Sequence, residues 1–137
     1  MPVAPVSHCR VDASGVPAEW VEATVATAGQ PTLVYFHGHG SGRDALTVGR
    51  RLAANLALAT GARVFSVGCR LAREQSQAAA IEDGVAAYVW LLGEGCDLDT
   101  TAFISDFSSG ARAVGVLRSA RDGGLPLPAA GVWCCSR

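Results

Sequence analysis

The sequence predicts an α/β protein: a mostly parallel sheet of about six strands with flanking helices. Three observations carry that reading. Thr32-Leu33-Val34-Tyr35-Phe36 is a continuous apolar and β-branched run, the pattern of a strand covered on both faces. Beyond it the periodicity alternates between helical and extended. The helical stretches are long enough to carry right-handed crossovers between parallel strands.

Element by element, the opening residues 6–11 and 19–25 read as a pair of extended segments, in which Trp20, Glu22 and Thr24 alternate with Val21, Ala23 and Val25. An antiparallel pair at the start of the sheet is expected from them. The strand 32–36 ends at a Gly-rich turn, and residues 43–60, rich in Ala and Leu, read as one helix. Residues 62–67 read as a strand and 77–92 as a helix, with Ile81, Val85, Tyr88, Val89 and Leu92 on one face at spacings of three and four. A short strand at 102–105, a helix at 109–121 and a last strand at 130–135 complete the series. Loop-like stretches occur only locally, at 28–31, 38–43 and 123–128, so residues 1–137 are expected to form one domain.

Composition removes several function classes. There is no Lys, and 11 Arg face 12 acidic residues for a net charge of -1, which leaves no basic field for a nucleic acid. The missing Lys also excludes Schiff-base chemistry and the P-loop lysine within this chain. Cys9, Cys69, Cys96, Cys134 and Cys135 show no zinc-ligand spacing, and an odd number of thiols fits a reduced, cytoplasmic setting. No apolar stretch is long enough to span a membrane and no leader peptide is recognisable. No metal or cofactor is expected.

In a parallel sheet, sites form at the carboxyl ends of the strands. His37-Gly38-His39-Gly40, Cys69-Arg70-Leu71-Ala72-Arg73-Glu74 and Ser105-Asp106-Phe107-Ser108-Ser109-Gly110 stand at those ends. The series Val16-Pro17-Ala18-Glu19-Trp20, Tyr35-Phe36-His37-Gly38-His39-Gly40, Arg70-Leu71-Ala72, Ala78-Ala79-Ala80-Ile81-Glu82-Asp83 and Gly124-Leu125-Pro126-Leu127-Pro128 resembles the hormone-sensitive-lipase-type esterases of the α/β-hydrolase fold, in order and nearly in spacing. The resemblance covers almost the whole chain. It implies a partial α/β-hydrolase sheet that stops before the family's last strands, and hydrolysis of carboxylic esters by a Ser, acid, His triad.

Residue by residue, the resemblance implies an oxyanion hole at His39 and Gly40, where the family's turn of glycines lets backbone N–H groups approach the developing oxyanion. His39 replaces one of those glycines, and His37 matches the family's His, for which a structural hydrogen-bonding role is expected. At the nucleophile elbow an ungapped match puts Phe107 where the nucleophilic Ser belongs. Asp106 and Gly110 keep the family's residues. A slip of one position makes Ser108 the candidate nucleophile; otherwise Ser108 is a helix N-cap. His8, His37 and His39 all precede the elbow, whereas the family's acid and His follow it, so no residue carries over as base or acid. The expectation is an esterase-type chain that is catalytically impaired, with a small ester as ligand of any active form. The alternative is a non-catalytic binding or assembly module that completes its sheet with another chain, by self-association through the edge strand 130–135.

Three other groups have plainer readings. Glu82 and Asp83 are adjacent on a helix and point apart, as a solvated or salt-bridged face with Arg70 as a partner. Cys134 and Cys135 alternate across a strand as ordinary thiols. Cys69 stands beside Arg70 as an alternative nucleophile or a buried thiol.

Overall fold

Among the described residues, six strands and four α-helices build the sheet and its two helical layers. The computed structural model describes residues 6–23, 30–37, 42–69, 77–105 and 110–133. In chain order these hold β1 (Val6–Ala13), β2 (Val16–Ala23), β3 (Thr32–Phe36), α1 (Gly42–Val48), α2 (Arg50–Thr60), β4 (Arg63–Val67), α3 (Gln77–Gly93), β5 (Thr101–Ser105), α4 (Gly110–Asp122) and β6 (Ala130–Trp133). The strands form a 6-stranded sheet in the order β1-β2-β4-β3-β5-β6. β2 runs antiparallel to β1 and β4, while β4, β3, β5 and β6 are parallel. The apolar run of β3 therefore lies at the middle of the sheet, as its two-faced burial demands.

The opening pair is a hairpin, longer and tighter than the sequence pattern indicates. Ser14 (φ 56°) and Gly15 (φ 91°) form its two-residue turn, in the left-handed region that suits a right-twisted hairpin. Asp12 Oδ1 accepts from the Gly15 N–H at 2.6 Å. β2 thus begins at Val16 instead of residue 19; Thr24 and Val25 lie outside the described residues.

Two apolar layers cover the sheet. On one face, Val34, Phe36, Phe65, Val67 and Phe103 pack with α3 and α4 through Ala80, Ala87, Tyr88, Leu91, Ala113, Val116 and Ala120. On the other, Val21, Tyr35 and Val64 pack with Ala53 and Ala57 of α2. Tyr88 donates to the Pro126 carbonyl at 2.6 Å, fastening α3 to the loop that leads into β6. Burial, with Cys96 nearby, pushes its hydroxyl up to about 12, so it stays a donor over the working pH range.

Two expectations need correction. The single helix at 43–60 is two helices meeting at Gly49, whose ψ of -1° departs from the helical value. Gly49 abuts the His37 ring, and a Cβ there would fall inside that ring, so the residue at the junction must lack a side chain. The second correction concerns α3. Its buried face is Ala79, Ala80, Gly84, Ala87, Tyr88 and Leu91, whereas Ile81, Val85 and Leu92 are half-buried and Val89 is 46% exposed. Small residues let α3 lie close to the sheet and to α4; Gly84 meets Val116 and Phe36 there. Counting only large apolar residues turned the expected face by about one position.

Candidate functional site

Because β2 is antiparallel to β4, the hairpin turn of β1 and β2 lies at the same end of the sheet as the carboxyl ends of β4, β3 and β5. Ala18 pairs with Val67 at the end of β4, and the Gly68 N–H donates to the Pro17 carbonyl at 2.9 Å. A cavity of about 520 Å³ opens beside this turn, lined by Arg10, Val11, Asp12, Gly15 and Pro17. The rim that the sequence reading assigned to three loops thus has a fourth contributor, the hairpin.

His37 follows β3 directly and is 3% exposed. Its Nε2 is hydrogen-bonded to Ser66 Oγ of β4, and its ring packs against Tyr35 with centroids 4.3 Å apart and the planes tilted by 40°. The Gly49 backbone presses on the same ring. From the first turn of α4, Arg112 Nη1 donates to the His37 carbonyl. The end of β3 is therefore clamped from both sides: by Ser66 and Gly49 on one face, and by Arg112 on the other. This is the structural role expected of His37, with the partners now specified.

A second polar cluster sits beside it. Arg10, Glu19, Ser66 and Tyr35 form one row across β1, β2, β4 and β3, paired Cα to Cα and so on one face. Glu19 is 1% exposed. It accepts from Arg10 Nε at 2.8 Å and from Arg50 at 2.6 and 3.0 Å, and His8 Nδ1 lies 3.8 Å away. Burial alone would raise its carboxyl, but the hydrogen bonds and charges of Arg50 and Arg10 outweigh that and hold it below the usual carboxylate range. Arg10 Nη2 also donates to Thr47 at 3.1 Å, so the cluster ties β1, β2, α1 and α2 together behind His37.

His39 and Gly40 of the expected oxyanion hole, and Asp106, Phe107 and Ser108 of the elbow, lie outside the described residues. So do Arg70, Cys134 and Cys135. Gly110 opens α4, and Ser105 closes β5 beside Phe36. Cys69, at the end of β4, is buried. Glu82 is exposed and Asp83 half-buried, which agrees with adjacent helical residues pointing apart. Among the described residues no group of His, Cys, Asp and Glu is placed to hold a metal ion, and no helix is long and apolar enough to cross a membrane.

Sequence reasoning missed two residues. Glu19 carries its signal in the run Val-Pro-Ala-Glu-Trp-Val, a lone carboxylate among apolar neighbours. Arg112 stands four residues before Val116 and eight before Ala120, on the face of α4 that enters the core.

The strand order, the parallel pairing of β4, β3, β5 and β6 and the helices between them define an α/β-hydrolase-type sheet. The chain belongs to that family: residues 33–135 match the family described as alpha/beta hydrolase fold. It is 37% identical over 130 residues to an acetyl-hydrolase of Streptomyces hygroscopicus, covering 95% of this chain and 40% of that protein. The esterase LipI of Mycobacterium tuberculosis is 34% identical over 83% of this chain and 37% of its own length. A crystal structure of an esterase from the bacterial hormone-sensitive lipase family superposes with a TM-score of 0.85 at 37% identity, covering 99% of this chain and 46% of that one. The chain thus spans less than half the length of these relatives.

Proposed function

We propose that this chain is an esterase-type hydrolase segment that lacks serine-nucleophile chemistry of its own. The observation that carries the reading is the identity of Phe107 at the elbow position, between the end of β5 and the start of α4. A phenyl ring has no nucleophilic atom. Two of the three histidines support the reading by their placement. His37 is buried in the clamp described above, and His8 is on β1 near Glu19, with β2, β4 and β3 between its strand and β5. A serine hydroxyl needs an adjacent base to attack an ester at neutral pH, and neither ring stands ready to supply one. Losing triad members leaves at most about 10³–10⁴-fold acceleration, and only where the oxyanion hole is intact.

Phe107→Ser is therefore expected to leave the chain without ester turnover. Hydrolysis of p-nitrophenyl acetate by that variant, above the parent chain and the buffer, would show that a base is available and refute the reading.

A second reading, an assembly module, is favoured by the outer strand. Among the described residues β6 pairs only with β5, and beside it Val114, Leu117, Leu127 and Pro128, with Arg118 and Arg121, line a groove of about 320 Å³. A strand edge without a second partner invites another strand. The isolated chain is expected to self-associate, and sedimentation giving only a monomer at micromolar concentration would remove this reading.

A further inference from the structure

Among the described residues at this end of the sheet, Arg112 is a buried cation whose hydrogen bonding is incomplete. It is 6% exposed, and Nη1 is occupied by the His37 carbonyl. Its Nε is buried without a hydrogen-bond partner, and no carboxylate among the described residues pairs with the guanidinium. A buried cation with no counter-charge is strongly disfavoured. Its position makes matters worse, since Arg112 lies in the first turn of α4, where the helix dipole is positive and an anion is favoured over a cation. Glu19, the nearby buried carboxylate of the other face, is already held by Arg10 and Arg50.

A second unpartnered group accompanies it. Ser105 Oγ is buried with no hydrogen-bond partner. Ser105 pairs in register with Phe36, the residue before His37, and the two point to the α3 and α4 face of the sheet. Ser105 is thus in register with Phe36, and Arg112 bonds the carbonyl of the next residue, so both stand at the end of β3.

We propose that Arg112 and Ser105 form a binding site for a small carboxylate anion at the carboxyl edge of the sheet. With Nη1 taken, the Nε side of the guanidinium keeps two N–H groups in the planar fork that a carboxylate matches with two parallel bonds. The Ser105 hydroxyl supplies a further donor, and the start of α4 adds its dipole. The planar fork favours a carboxylate over a tetrahedral anion. This assignment does not depend on whether the chain cleaves esters.

The test is a titration of the ¹⁵N-labelled chain with sodium acetate, replacing chloride at constant ionic strength. Saturating amide shifts centred on His37, Ser105 and Arg112, in the millimolar range suited to so small a ligand, are expected. Arg112→Met keeps the aliphatic stem and should weaken binding about tenfold or more, and Ser105→Ala about threefold to tenfold. If Arg112→Met does not fold, Ser105→Ala decides alone. Shifts that do not saturate, that centre elsewhere, or that survive these substitutions unchanged overturn the site. Inorganic phosphate binding tighter than acetate overturns the carboxylate assignment.

Discussion

Glu19→Ala is expected to lower the unfolding free energy by about 3 kcal/mol, near the low end for a broken buried ion pair. The carboxylate is almost fully buried, but Arg10 and Arg50 are 38% and 41% exposed at their side chains. Once Glu19 is gone their guanidinium groups can turn to water, so the uncompensated charge costs less than in a sealed core. What is lost is the tie among β1, β2, α1 and α2 and the packing around it. The denaturation midpoint should fall with little change in slope.

The same substitution should alter the pH dependence. Glu19 has a lowered pKa in the folded chain, so its contribution is complete above the ordinary glutamate range. That contribution fades as the pH falls through the lower folded value. The parent chain should therefore lose stability on acidification more steeply than Glu19→Ala, and the two curves should converge at low pH. Parallel curves would mean that the carboxylate is not held by the two arginines in solution.

Gly49→Ala is expected to cost about 3 kcal/mol or more, out of proportion to its single methyl group. The added Cβ would coincide with the His37 ring, so either the junction of α1 and α2 or the imidazole must move. Overpacking a close contact typically costs about 1–3 kcal/mol. Displacing His37 also leaves Ser66 Oγ buried without that partner, a further ~1–3 kcal/mol. Gly93→Ala makes the control. It ends α3 with nothing within 4 Å of the added methyl, and should change stability by less than about 1 kcal/mol. Thermal denaturation of the two variants side by side gives the comparison, and similar midpoints would contradict the clamp around His37.

How far the sequence disclosed this architecture depends on which physical signal each element carries. β3 was legible to the residue because a strand covered on both faces must be apolar without interruption. β4 and β5 were legible to within one residue for the same reason. α3 was placed to within one residue at its end, but its face was misjudged, because its closest approach uses Ala80, Gly84 and Ala87, which add little to an apolar count. The junction at Gly49 was invisible for a related cause. A glycine inside a helical pattern reads as a tolerated weakness, and only the imidazole arriving from β3 explains it. The hairpin was under-read because Ser14 adopts a positive φ that its residue type does not announce.

At the site, the local part was legible and the long-range part was not. The loops at the ends of β3, β4 and β5 were marked by their glycines and by their place in the fold. The partners of His37 come from β4, the junction of α1 and α2, and α4, separated by up to 75 residues, and no spacing in the chain forecasts them. Glu19 and Arg112 were missed because a charged residue in an apolar run is ordinarily read as solvent-facing. Burial reverses that reading only when partners from other elements are known.

The central claim, that this chain carries no activated serine, is tested most directly by intact-mass analysis after exposure to a fluorophosphonate probe, with any adduct mapped by peptide. The account predicts an unmodified chain. A stoichiometric adduct on Ser108 would contradict it, because it would require an elbow shifted by one residue and a base acting on that hydroxyl.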